Sequence, residues 1–196
     1  ILGFIIAMTM HRIVIPRKTL RTVVLIPYSI ITVVSAFAWK FGFDVSTGFV
    51  NHWLHTLTFG SFPLDYDWFG QRGSSLFVIC LSEIWKTTPF MALLILAGLQ
   101  MIPKDVYDAA RVDGANRIQT FFRITLPLVR PALMVAVLFR TLDALRMYDL
   151  PVIMISSSSN SPTATISQLV VEDMRQGNFN SASALSTLIF LLIFVV

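Results

Sequence analysis

Two long apolar runs, Leu76 to Leu99 and Ala132 to Ile155, bracket a charged stretch that runs from Ile102 to Pro127 and reads IPKDVYDAARVDGANRIQTFFRITLP. A run of about 20 apolar residues crosses roughly 30 Å of hydrocarbon as a helix rising about 1.5 Å per residue. Within hydrocarbon every backbone N–H and C=O must be bonded inside the segment, which commits each such run to helix. The charged stretch is then a loop outside the membrane, and it carries its own helix signals. Pro103 suits a first turn, Asp105 and Asp108 lie where the helix dipole favours carboxylates, and Gly114 offers a left-handed stop. Between them Val106, Ala109 and Ala110 put small apolar surface at helical spacing, with Arg111 and Asp113 beside it, so a partner can approach the backbone closely. A second short helix is expected from Asn116 to Thr125, with Pro127 and Pro131 punctuating the start of the next apolar run.

Composition agrees with a membrane protein. Apolar residues make up 55% and charged residues 13% of the 196 residues, and mean hydropathy is +0.72, too apolar for a water-soluble domain. The expected fold is an all-α integral membrane protein, a polytopic helical bundle in one transmembrane domain over residues 1–196. Its spans are expected at about 1–10 (partial), 22–39, 76–99, 132–155 and 182–196 (partial), with the loop at 102–127. The opening run, Ile1 to Met10, is too short to span and reads as the end of a truncated helix, since a signal peptide would carry a basic leader. Lys and Arg concentrate on the 11–21 and 100–131 side, while the opposite loops hold only Lys40, Arg72 and Arg175. The positive-inside rule therefore places 102–127 in the cytoplasm. The net charge of +4 is spread over these loops and argues for no nucleic-acid partner. The single cysteine, Cys80, excludes an intrachain disulfide and is expected as a buried, inert thiol.

The spacing of Asp108, Ala109 and Ala110, then Gly114, then Ile124, Leu126 and Pro127 resembles the EAA loop of ATP-binding-cassette importer permeases, with Asp108 standing where the family usually has Glu. The resemblance implies that the first helix of the loop is a coupling helix seated in a cleft of a separate ATPase. Asp108, Ala109, Ala110, Asp113, Gly114, Ile124, Leu126 and Pro127 would make the ATPase-coupling site. SEIWKTTPF and AGLQMIP, ahead of the loop, and Gly177, Phe179 and Ala182 to Ser186, behind it, resemble the first-type permeases of sugar importers. The Ser156–Ser159 tract replaces that group's Gly-Gly-Pro. The run from Leu138 to Asp149 is similar to permeases of trehalose importers, which implies a disaccharide such as trehalose as cargo. The partners implied are a second permease, an ATPase dimer, an extracytoplasmic sugar-binding protein and membrane lipid, in a bacterial plasma (inner) membrane. This chain would bind no cofactor, ATP and magnesium belonging to the ATPase.

Charges inside the spans are the other candidates. Glu83 and Lys86 sit three apart around Trp85, and such charges face a partner or a watery cavity. Arg140, Asp143, Arg146 and Asp149 recur every third residue, which rotates each by about 60° around a helix. They cannot share a face, so several neighbours receive them or the helix breaks near Pro151. Asp143, Arg146 and Tyr148, with Glu83 and Trp85, are the candidate substrate path: carboxylates and guanidinium groups bond sugar hydroxyls, and rings cover the apolar faces of pyranoses. The alternative is that these charges hold helices together. In the outer loop Phe41 to Gly73, Trp53, Tyr66, Trp68 and Phe69 suit the bilayer interface, and His52 and His55 lack further ligands at metal-binding spacing. The chain carries no phosphate-binding GxxxxGK[ST] loop and no hydrolase motif, so ATP hydrolysis falls to another chain and an embedded enzyme has nothing to act with. An ion-coupled secondary transporter remains as an alternative through Asp143 and Glu83.

Overall fold

The structure, a computed structural model, describes residues 1–12, 17–155 and 163–195; the Ser156–Ser159 tract and Val196 lie outside them. The described residues form α1 (Leu2–Arg12), α2 (Arg17–Ser29), α3 (Thr32–Gly42), α4 (Val50–Leu57), α5 (Arg72–Gln100), α6 (Lys104–Val112), α7 (Arg117–Thr120), a π-helical turn (Phe121–Thr125), α8 (Leu126–Leu145), α9 (Asp149–Met154), α10 (Ile166–Arg175) and α11 (Phe179–Val195). They fall into two compact units, Ile1–Ser29 with Trp85–Thr141, and Ile30–Ile84 with Leu142–Val196.

The first unit has a core of Ala7, Met10, Ile95, Leu96, Leu99, Val129 and Ala136. Ala92, Ile95, Leu96 and Leu99 are buried at i, i+3, i+4 and i+7, one face of α5. Tyr28 on α2 stacks on Phe90, centroids 5.0 Å apart. Gly98 sets how closely α5 and α8 approach. A Cβ there would run into the Ala132 Cβ and come within 3.2 Å of Val129 Cγ2, the small-residue packing expected where membrane helices lack a hydrophobic drive to associate. Gly98→Val should therefore lower stability by about 1–3 kcal/mol or more through overpacking. Gly73→Ala, where nothing lies within 4 Å, should not. Thermal unfolding of both variants in detergent checks the contrast.

The second unit packs Ala36, Phe43, Val78, Ile79, Leu150, Met154 and Ile155, with α3 against α9 and α10 against α11. Its outer loop is more ordered than an interfacial anchor requires. Asn51 is buried; its Nδ2 donates to the carbonyls of Leu64 and Tyr66, each at 3.0 Å, and its Oδ1 accepts from Trp68 Nε1 at 2.6 Å. Phe43, Phe62, Tyr66 and Phe77 ring Trp68. Tyr66, Trp68 and Phe69 are thus half-buried inside the chain, and of the residues expected at the interface Trp53 alone is strongly exposed. His55 does not join His52; its Nδ1 lies 2.7 Å from the Phe62 carbonyl. After α3, Asp44 Oδ1 accepts from the Ser46 hydroxyl and from the backbone N–H groups and hydroxyl of Ser46 and Thr47. Those bonds, that of the Ser46 side chain foremost, pull the carboxyl down to about 2. Any stabilisation from this turn is present above the ordinary carboxylate range and is lost only as pH falls through about 2.

Several segments depart from the sequence reading. The run expected as one helix at 22–39 is interrupted at Ile30 and Ile31, Ile31 adopting an extended ψ of 135°. Pro127 and Pro131 do not punctuate a boundary, for the helix continues from Arg117 to Leu145. Pro127 has no N–H to give the carbonyl of Arg123, and the wider π turn immediately before it relieves the crowding of its ring. The run expected at 132–155 ends as a helix at Leu145 and resumes at Asp149. The break precedes Pro151, which sits in the first turn of α9 where a proline needs no bond. Cys80 is exposed, not buried, on an outer face of α5 with Phe77 and Ile84.

Candidate functional site

The loop from Ile102 to Pro127 builds its exposed helix from local signals. Pro103 is the N-cap of α6, at φ −61° and ψ 143°, and Asp105 lies in the first turn. At the other end Gly114 has φ +73°. Its N–H donates to the Arg111 carbonyl at 3.0 Å, and the Ala115 N–H donates to the Ala110 carbonyl at 2.9 Å. This paired closure satisfies the last carbonyls of the helix and requires the left-handed residue. Asn116 then opens α7 with a capping box: the Gln119 N–H donates to Asn116 Oδ1 at 2.8 Å and the Asn116 N–H to Gln119 Oε1 at 2.9 Å.

Helical spacing sorts the side chains of α6. Asp105, Asp108, Ala109 and Val112 are exposed and share one face, at i, i+3, i+4 and i+7. Val112 is 88% exposed, whereas Ala110 is only 5% exposed. Ala110 therefore faces its own chain, a correction to the expectation that both alanines meet a partner. Val106 and Tyr107 are half-buried, and the Thr125 hydroxyl, 4% exposed with its residue, donates to the Tyr107 hydroxyl at 3.4 Å and fastens α6 to the π turn. Arg111 Nη1 lies 3.2 Å from Asp108 Oδ1, an exposed pair of little energetic weight that orients the carboxylate. Asp113 and Gly114 are exposed at the tip, Ile124 and Leu126 are half-buried, and Pro127 is exposed. Sequence reasoning missed Val112 as a candidate, although its place seven residues after Asp105 carries the signal. It also missed the Tyr107–Thr125 link, for which no local pattern exists.

The charges of the spans differ in exposure. Asp143 and Arg146 are exposed on either side of the turn that ends α8, where the Arg146 N–H donates to the Asp143 carbonyl at 3.3 Å. Tyr148 is half-buried and is the N-cap residue of α9. In the break the Thr165 hydroxyl donates to the Met147 carbonyl at 3.1 Å, and at the far end of α9 Lys40 Nζ donates to the Ile153 carbonyl at 3.0 Å. Glu83 and Lys86 are buried, each 8% exposed, while Trp85 is 41% exposed. Two residues apart on one helix, Glu83 and Trp85 lie on nearly opposite faces, so α5 does not present both to a single path.

Among the described residues two helices are long and apolar enough to cross a membrane, Arg72–Gln100 and Arg117–Leu145; with apolar outer faces such as Met134, Val137 and Phe139 on α8 and the shorter apolar α11, they define an all-helical, multi-pass membrane protein with a separately capped polar loop helix. The chain matches the family of binding-protein-dependent transport system inner membrane components over residues 1–196, and it belongs to that family. It is 40% identical over 193 residues to the trehalose/maltose transport system permease protein MalF of Thermococcus litoralis, a stretch covering 98% of this chain and 64% of that protein. It is 41% identical over 191 residues to the trehalose transport system permease protein SugA of Mycobacterium tuberculosis, 97% of this chain and 59% of that one. The chain thus spans about three fifths of the length of these curated relatives. A chain of a bacterial alginate ABC transporter, solved in complex with an alginate pentasaccharide-bound periplasmic protein, superposes with a TM-score of 0.84 at 26% identity, over 99% of this chain and 67% of that one.

Proposed function

We propose that this chain is the membrane-spanning part of a permease subunit in an ATP-driven sugar importer, with a disaccharide such as trehalose as cargo. It contributes to the translocation path and is itself no catalyst. The observation that carries the reading is the exposed face of α6, Asp105, Asp108, Ala109 and Val112: acidic at its N-terminal end, small in the middle and apolar at its tip. The opposite side of the helix is fixed to its own chain through Ala110 and the Tyr107–Thr125 bond, which leaves this face outward for another protein. An ATPase dimer is the partner for that face, and ATP with magnesium belongs there. A second permease completes the path, and an extracytoplasmic binding protein delivers the sugar. The names of the relatives support trehalose, and the alginate transporter's complex supports a binding-protein partner.

The test is uptake into vesicles carrying the full-length protein with the permease, ATPase and binding protein encoded beside it. Labelled trehalose should accumulate only with ATP inside and binding protein outside, and collapsing the proton and sodium gradients should leave the rate unchanged. Accumulation that follows those gradients without ATP would make the chain a secondary transporter instead.

A further inference from the structure

The first unit contains a cleft of about 630 Å³ between α1, α6, α7 and the π turn, at whose rim stands Asp108 of the exposed face of α6. Among the described residues, three cationic side chains line it, Lys104, Arg111 and Arg117, with His11 beside them and one carboxylate, Asp108, which is already paired with Arg111. Cations among these described residues therefore outnumber carboxylates by two before the histidine is considered. The Tyr107 hydroxyl, whose oxygen accepts from Thr125, adds a neutral donor. One wall is apolar: Met8 and Phe121 line the cleft, and Phe121 meets Phe4, one helical turn before Met8, edge to face at 5.7 Å. Phe122, 61% exposed, packs on Phe121 at 4.9 Å.

A cationic recess joined to an exposed apolar strip is suited to an amphiphile with an anionic head. Guanidinium and ammonium groups bind phosphate oxygens by charge-assisted hydrogen bonds. The excess of Lys and Arg on this side places the cleft at the cytoplasmic leaflet, where anionic lipids are found. We propose that the cleft is a binding site for the phosphate group of an anionic phospholipid, held by Lys104 and Arg117 and flanked by Arg111, with the acyl chains running along Phe121 and Phe122. Free phosphate would satisfy the same cations but would gain nothing from the aromatic strip, which is why the lipid is favoured. The inference rests on the membrane placement of the chain and not on its cargo.

The experiment uses the full-length protein with its co-purifying subunits, equilibrated with mixed phosphatidylglycerol and phosphatidylcholine vesicles, extracted in mild detergent and weighed by native mass spectrometry. The parent should retain phosphatidylglycerol over phosphatidylcholine. The double variant Lys104→Gln/Arg117→Gln should retain about thirtyfold less, five- to sixfold for each cation removed near a membrane surface. Lys104→Arg/Arg117→Lys, which keeps both charges, should retain the lipid and guards against a folding defect. Equal retention by parent and glutamine variant overturns the proposal. So does displacement of the lipid by millimolar inorganic phosphate, which would make the site one for free phosphate. Loss of a protein subunit in place of lipid also overturns it, since the cations would then be holding a partner's carboxylates.

Discussion

Ala109→Trp should abolish ATP-driven uptake while leaving the chain folded and inserted, and Ala110→Trp, one residue on, should damage the chain itself. The two alanines are equivalent in sequence and opposite in structure. Ala109 is exposed on the face of Asp105, Asp108 and Val112, whereas Ala110 is 5% exposed on the side of Tyr107 and the π turn. An indole at Ala109 meets solvent in the isolated chain, so its cost to folding should stay within about 0.5 kcal/mol. Against a partner cleft that admits only a methyl group it should prevent docking, and both uptake and the stimulation of ATP hydrolysis by loaded binding protein should fall to background. At Ala110, only 5% exposed, the indole must displace neighbours packed against the methyl group, and overpacking should cost about 1–3 kcal/mol. Melting of each purified variant, beside uptake and stimulated ATP hydrolysis in vesicles, separates the outcomes. Normal coupling in a folded Ala109→Trp would remove α6 from the docking role, and a fully stable Ala110→Trp would show that this side of the helix is not packed.

This pair of residues also shows what was legible in the sequence. Start and stop of α6 were, because Pro103, Asp105 and Gly114 act through bonds to their own neighbours, and local rules suffice for local bonds. Which alanine turns inward was not, because that depends on Tyr107 reaching Thr125, eighteen residues on. The same distinction explains the prolines. Pro127 looks like a boundary by composition, yet a preceding π turn accommodates it and the apolar surface of α8 keeps the helix running. The four charges at every third position left two outcomes open, several receiving neighbours or a break near Pro151, and the helix in fact stops at Leu145 and resumes at Asp149, ahead of that proline. The bond that meets the break comes from a distant residue, the Thr165 hydroxyl donating to the Met147 carbonyl, which no local pattern shows. In the outer loop, aromatic residues read as membrane anchors because composition cannot reveal Asn51, whose three bonds gather Trp68 into a core. Asp108, Gly114 and the rest of the gapped loop motif were readable for a different reason: they lie within one short segment.

The break at 146–148 leads to the second large effect. A helix interrupted within an apolar run leaves backbone that hydrocarbon cannot solvate, and such breaks persist where protein or a watery path takes over. Here part of that backbone is bonded by Thr165, while Asp143 and Arg146 remain exposed at the turn and Tyr148 caps the helix that follows. Asp143 is exposed, and an isosteric amide there keeps one hydrogen-bonding oxygen, so folding should be largely spared. Asp143→Asn keeps the shape and removes the charge. Loss of one charged hydrogen bond to a sugar hydroxyl, about 1.5–3 kcal/mol, should slow trehalose uptake roughly 10- to 100-fold. Tyr148→Phe removes a neutral hydroxyl worth about 0.5–1.5 kcal/mol, and should slow it only a few-fold or change which disaccharide is accepted. Both variants should assemble with the ATPase and keep stimulated hydrolysis, since neither residue lies on the loop. Uptake and sugar preference unchanged in both would make these groups supports of the helix break and would move the search for the path to the buried pair Glu83 and Lys86 or to the partner permease. Loss of hydrolysis together with uptake would instead mean that the break transmits motion from the loop, since a group that only touches the sugar has no means of switching off ATP turnover already committed by the docked binding protein.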